Sequence, residues 1–287
     1  MKRLFVLLVF TMFMMIPMHS RSQTVVNYLT SIVSKGYGSD YVKGYMQPFS
    51  NALGSAMGQA LYHRGYSKTF PRFDAGISAV YIFIPDEARS FVSPHNFQGE
   101  VPTLFGNDNP SITGAIPGFD KKALLLPMLQ ANIGLIGNLE ATVRYAATKV
   151  DYLGDLKLYG GGLKYELSSL IPIPMFPLDF AIQAAYHKFT LGNILDSGTF
   201  SMNVQASASV PILPVDVYAG LGYDNSSLTV NTVELLSTST LGKITIDGEN
   251  KLHLNAGLSF TFLFFNAHVD YNIGKYSSLA GGLMIVL

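Results

Sequence analysis

The sequence predicts an all-β protein, a transmembrane antiparallel up-and-down β-barrel of about ten strands, or about twelve if one ambiguous hairpin is counted, preceded by an N-terminal amphipathic helix. Three observations predict it. The first is the stretch Thr199 to Val210, where Phe200, Met202, Val204, Ala206, Ala208 and Val210 alternate with Thr199, Ser201, Asn203, Gln205, Ser207 and Ser209. Successive strand side chains point to opposite faces, so this segment separates an apolar medium from a polar one. Its length suits a tilted bilayer crossing of about 9–11 residues better than a soluble strand of about 5–6. The second is that the chain reads as exported yet has no apolar run of helical membrane-spanning length after residue 22, which leaves a closed barrel as the way to sit in lipid with every backbone group paired. The third is a set of long connections alternating with short turns.

Composition bounds the partners. With 19 Lys and Arg against 19 Asp and Glu, 13% charged residues and a mean hydropathy of +0.28, neither a nucleic-acid partner nor a strongly charged substrate is indicated. Cysteine is absent, which excludes disulfides and lipidation at a cysteine.

In chain order, Lys2 and Arg3 precede an apolar run from Leu4 to Ile16 and then Ser20-Arg21-Ser22. Residues 1–22 are therefore read as a secretory signal peptide, with a retained anchor as the alternative, since the run is short for a span of about 20 residues. Residues 23–71 form a helical segment. A short helix is expected over Thr24 to Ser34, before Gly36, and a longer one over Tyr41 to Leu61, where Tyr41, Tyr45, Phe49, Leu53, Met57 and Leu61 recur at helical spacing after an N-cap region at Ser39-Asp40. The polar face of this helix carries few cations, unlike a membrane-surface helix. Its apolar stripe is expected to be buried inside the barrel, plugging the periplasmic mouth, because the connection from Gly65 to Pro71 is short.

Residues 72–287 are the barrel. Alternation runs over Arg72–Phe83, Leu129–Leu135, Leu139–Tyr145, Asp155–Leu167, Leu178–Phe189, Thr199–Val210, Val215–Tyr223, Lys251–Phe262, Phe265–Ile273 and Tyr276–Leu287. Short turns are expected at Gly137-Asn138, Ser168–Pro177, Pro211–Pro214 and near Phe264, and long connections after the first and seventh strands. Leu228–Val233 and Lys243–Ile246 either form a further hairpin or extend existing strands. The polar face is mostly Ser, Thr, Asn, Gln and Gly rather than the Lys and Glu of a soluble barrel's exterior, and Tyr81, Phe83, Tyr145, Tyr186, Tyr223, Phe262 and Tyr271 stand where interfacial girdles would be. The last strand keeps its period to Leu287, as barrel-insertion signals do, although those usually end on an aromatic residue.

The run YMQPFSNALGSAMGQALYHRGYSKTFPRFDAGISAVYIFIPDEARSF, followed by VPTLFG, LPMLQANIGL, VRYA, YGGGLKYEL and AGLGYD, resembles an uncharacterised family of outer-membrane β-barrel proteins of gram-negative bacteria. The resemblance covers residues 40 to 287. A more distant likeness is to long-chain fatty-acid transport barrels, which also place a helical segment before the first strand but are larger. The resemblance implies an outer-membrane location and assigns no activity.

Lumen-facing ionisable residues, by parity, are Arg72, Asp74, Glu140, Arg144, Lys164, Glu166, Asp179, His187, Asp216, Lys251, His253, His268 and Asp270. They read as a paired, hydrated interior, or more sharply as a constriction in which Arg72, Arg144 and Lys164 face acidic partners. Two chance-prone alternatives are a Ser259, His268, Asp270 hydrolytic trio and a His253, His268, Asp270 metal site. Gly76, Gly134, Gly160, Gly162, Gly220, Gly222, Gly257 and Gly282 share that face, where they either ease curvature or leave room for the helix or a slender ligand. No catalytic activity and no cofactor are expected. The expected partners are the lipid bilayer and the outer-membrane assembly machinery. The expected function is a passive conduit for small solutes, hydrophobic ones included, with the helix (Tyr45, Phe49, Leu53, Met57, Leu61) partly plugging it. The alternative is a non-transporting structural or partner-binding barrel.

Overall fold

The computed structural model describes residues 19–94, 97, 99–150, 154–168 and 178–287. The expected signal segment lies outside them except for residues 19–22, which open the first helix. Helix α1 spans His19–Ser34 and α2 spans Gly38–Gly58, and Gly36 and Gly38 hold the positive φ angles of the bend between them. The expected short helix is therefore present. The longer one ends three residues earlier than its apolar spacing suggests, so Leu61 lies beyond it.

Ten antiparallel strands close a ring: β1 (Phe73–Phe83), β4 (Ala123–Gly134), β5 (Leu139–Val150), β6 (Gly154–Glu166), β7 (Asp179–Leu191), β8 (Leu195–Ser209), β9 (Val215–Asn231), β11 (Leu252–Phe262), β12 (Phe265–Ile273) and β13 (Ser278–Val286). β13 returns to β1 with Asp74 opposite Val286 and Ile82 opposite Ser278. Within the connection from β1 to β4, β2 (Ser90–Val92) pairs with β3 (Glu100–Pro102). The ambiguous segments do both: one extends a barrel strand and the other pairs with it as an extra strand outside the ring of ten. β9 runs unbroken to Asn231, and β10 (Lys243–Asp247) pairs with its last residues, from Lys243 opposite Asn231 to Asp247 opposite Ser227.

One end of the barrel carries tight connections, including Gly137-Asn138, where both residues take positive φ as a two-residue hairpin turn requires, and the turn at Leu263-Phe264. The connection between β6 and β7, expected at Ser168–Pro177, lies outside the described residues from 169 to 177. The other end carries the long connections after β1 and β9, and helix α3 (Thr232–Leu235).

The two halves of the wall differ in phase. Towards the short-turn end the outside is apolar, with Leu129, Ile133, Val143, Leu163, Val204, Leu221, Leu254, Leu258, Val269 and Leu283 exposed, while Gln130, Asn132, Gln183, Ser201 and Gln205 point inward and are buried. The expected aromatic positions, Tyr81, Phe83, Tyr145, Tyr186, Tyr223, Phe262 and Tyr271, are all exposed on the outer surface. Towards the long-loop end the pattern inverts. Leu158, Phe189, Leu191, Leu195, Leu228 and Val230 face inward and are buried, and Lys157, Lys188, Asp196 and Thr229 face outward. A strand that leaves an apolar medium for water while its interior changes from polar to apolar shows this inversion without a change of register.

Candidate functional site in the barrel lumen

The lumen is occupied by the chain's own residues 38–68. The apolar stripe of α2 packs where the wall is apolar. Tyr45, Met46, Leu53 and Met57 are buried in one cluster with Leu158, Phe189, Leu228, Val230, Ile244 and Ile246, and Phe49 lies 6.2 Å from the Phe189 ring. This places α2 toward the long-loop end, opposite to the mouth expected for it. Two physical reasons account for the difference. The wall near the start of β1 is polar and offers an apolar helix nothing to pack on. The link over residues 59–72 is also long enough, since at about 3.3 Å per residue its possible reach exceeds the length of the 11-residue strand β1.

Glycines set how closely the helix approaches. A Cβ on Gly54 would lie 2.1 Å from Ser226 Oγ, and one on Gly58 2.0 Å from Asp224 Oδ1. Of the lumen glycines picked out from sequence, Gly134 faces the inserted chain, its missing Cβ falling 2.3 Å from the Lys68 carbonyl oxygen. Others seat side chains of neighbouring strands, His187 over Gly160, His253 over Gly222, Tyr218 against Gly257 and His268 over Gly282.

Below the helix the contacts are ionic. Asp74, fully buried, receives Arg64 Nη2 at 2.9 Å and Asn132 Nδ2 at 2.5 Å, forms a close ion pair with Lys68 and lies 3.8 Å from His63 Nε2. Glu140 pairs with Lys164 at 3.0 Å and accepts from the Lys68 backbone amide at 3.1 Å. Glu166, half-buried, accepts from the Ser67 amide at 2.7 Å, Lys164 donates to the Tyr66 carbonyl at 2.9 Å, and Tyr66 Oη approaches Asp216 at 3.4 Å. The backbone carbonyl of Asp179 abuts Gly65, whose amide donates to Ser207 Oγ at 2.7 Å. The His63 ring stacks on His268 at 4.5 Å.

Arg144 bonds to carbonyl oxygens rather than to a carboxylate, with Asp270 as its charged neighbour at longer range. Its guanidinium donates to the carbonyls of Gln59 (2.7 Å) and Met57 (3.3 Å) and to Gln130 Oε1 (2.8 Å), which satisfies carbonyl groups left over at the end of α2 with a cation at the negative end of the helix dipole. Arg72 and Lys251, both expected in the lumen, are exposed, one before β1 begins and the other in the long connection before β11. Neither the hydrolytic trio nor the metal site forms. Asn266 stands between Ser259 and His268, donating to Ser259 Oγ at 2.7 Å and contacting His268 Nδ1 at 3.0 Å, while Asp270 accepts from Tyr218 and Asn272. His253 lies 3.1 Å from Asp224 instead. Among the described residues no three His, Asp or Glu side chains converge as a metal site. His187 is buried on the wall.

The residues that sequence reasoning missed are His63, Arg64, Tyr66 and Lys68. A signal for them exists. The inward-facing strand acids Asp74, Glu140, Glu166, Asp179, Asp216, Asp224 and Asp270 outnumber the buried strand cations Arg144 and Lys164, an excess that favours an inserted segment bringing cations of its own.

The family model described as "Family of unknown function (DUF6588)" matches residues 1–287. The chain belongs to this family. Comparison with curated proteins gives no match. Among solved structures, the chain is similar to OmpT of Vibrio cholerae, at 11% identity, 56% coverage of each chain and a TM-score of 0.29. It is also similar to Neisserial surface protein A, at 10% identity over 75% of this chain and 96% of that one (TM-score 0.28), and to the translocator domain of the autotransporter NalP of Neisseria meningitidis, at 10% identity over 86% and 97% (TM-score 0.34).

Proposed function

We propose that this DUF6588 protein resides in the outer membrane of a gram-negative bacterium as a barrel closed by its own N-terminal segment, and that it acts there as a non-transporting structural or partner-binding protein. The observation that carries the proposal is the lumen filling. Residues 38–68 are hydrogen-bonded or packed against the wall from Tyr45 near the long-loop end to Lys68 near the short-turn end, and the cavity beside Gly58–Tyr62 has about 10 Å³, room for about one water. A passive conduit requires this segment to leave. Support for the membrane location comes from the exposed apolar belt with aromatic residues at its margins, the reverse of a soluble barrel, and from the signal-like residues 1–22. Cell fractionation and liposome swelling test both parts. The expected result is recovery in the outer membrane with heat-modifiable migration on gels and no entry of small sugars into liposomes. Recovery as a soluble periplasmic protein contradicts the location, and sugar entry contradicts the closed state.

A further inference from the structure

The order of contacts along the N-terminal segment has a topological consequence. β1 starts at the short-turn end, where both ends of the barrel lie, since the amide of Phe73 donates to the Leu287 carbonyl at 3.0 Å. Going backwards from β1, Lys68 meets Glu140 and Gly134, Ser67 meets Glu166, and Gly65 meets Ser207, all next to the short turns. Gln59 and Met57 then meet Arg144 in mid-wall, Gly58 lies against Asp224 and Ser201, and Gly54 against Ser226. Ser50 donates to the Ile246 carbonyl, Gln47 to Asp247, and Tyr45 Oη to Pro117, residues of the long connections. Finally α1 buries Leu29 and Ile32 in the cluster that holds Val101, Leu104 and Ile116, and the Tyr28 ring lies tilted against Phe119 at 5.6 Å. The chain thus passes through the whole barrel, entering at one end and emerging at the other.

In outer-membrane barrels short turns are periplasmic and longer loops extracellular. Resting on the membrane location proposed above, we infer that the barrel carries its own N-terminal segment across the outer membrane and displays α1 and the start of α2 on the cell surface, as a cap built jointly with the loops after β1 and β9. The segment is anchored there by aromatic and aliphatic packing, Tyr41 against Phe91 at 5.2 Å and Tyr37 against Phe97 at 5.5 Å, rather than by the lumen's ion pairs. Its exposed positions, such as Asn27 and Asp40, become part of the outward-facing surface. A segment that merely plugged the periplasmic mouth would leave these positions inside.

Because the chain has no cysteine, single introduced thiols report sidedness directly. The full-length variants Asn27→Cys and Asp40→Cys test the segment, Val233→Cys marks the long-loop end and Ile136→Cys the short-turn end, all at exposed positions. A membrane-impermeant maleimide is applied to intact cells and to permeabilised ones, with heat-modifiable migration confirming that each variant is assembled. The expected result is that Asn27, Asp40 and Val233 thiols label in intact cells to the extent seen after permeabilisation, whereas Ile136 labelling is lost in intact cells. Labelling of Val233 in intact cells with Asn27 and Asp40 shielded overturns the display while leaving the membrane location standing. Shielding of all four sites overturns the outer-membrane reading and the display with it.

Discussion

Replacing Asp74 by Asn should release the lower part of the inserted segment. The Asp74 carboxylate is fully buried and is the acidic partner of Arg64 at 2.9 Å and a close partner of Lys68, whose second carboxylate, Glu140, is 3.8 Å away. The substitution keeps the shape and an acceptor for Asn132 but removes the charge. Removing one partner of a buried ion pair costs about 3–5 kcal/mol, because the other charge stays desolvated and uncompensated. At about 1.36 kcal/mol per tenfold, the open population of the segment rises by about two to nearly four decades. Trypsin cuts after Arg and Lys, and when reclosing is fast its rate follows the open population. Cleavage after Arg64 or Lys68, identified by fragment mass in detergent-solubilised full-length protein, should therefore accelerate by at least about a hundredfold. Adding Arg64→Gln to Asp74→Asn should reverse part of the gain at Lys68, the one of the two sites that this double variant keeps, since one stranded cation is gone. A cleavage rate unchanged by Asp74→Asn would refute the view that this ion network holds the segment in place.

Gly58→Leu should lower the midpoint of heat-modifiable migration by an amount equivalent to about 1–3 kcal/mol, because the new Cβ meets Asp224 Oδ1 at 2.0 Å. Leu221→Arg on the outer belt should impair insertion into bilayers by about 2–4 kcal/mol, the penalty of a cation facing lipid near the midplane. Above that belt the rule changes. Leu228→Asp, on the buried inner face, should severely weaken assembly, while Thr229→Asp on the outer face should stay within about 0.5 kcal/mol of wild type, both read from urea-dependent migration.

Much of the barrel was legible because a strand that separates lipid from a polar lumen repeats with period two, and Thr199–Val210 shows that repeat without interruption. Strand extension past Tyr223 was harder to read. Leu228 and Val230 are apolar on the parity that holds Gly220 and Gly222 lower in the same strand, so the alternation changes sense where β9 leaves the belt. Treating the short Gly65–Pro71 connection as the whole tether also sent α2 to the wrong end, since the apolar inner wall that receives Leu53 and Phe49 appears only after that inversion. The connector after Leu61 carries no periodicity and reads as a linker. Its Arg64 and Lys68 become legible only when the strand acids are counted against the strand cations.

Single-channel recording of the full-length protein in planar bilayers tests most directly whether the segment closes the lumen. The account predicts that the wild-type chain, shown to be inserted by protection of its strands from protease, gives no conductance steps, and that steps appear in the Asp74→Asn variant as the segment becomes free to leave. Steady wild-type steps of the same size as those of the variant would contradict it, because ions would then be crossing a lumen that residues 38–68 are said to fill.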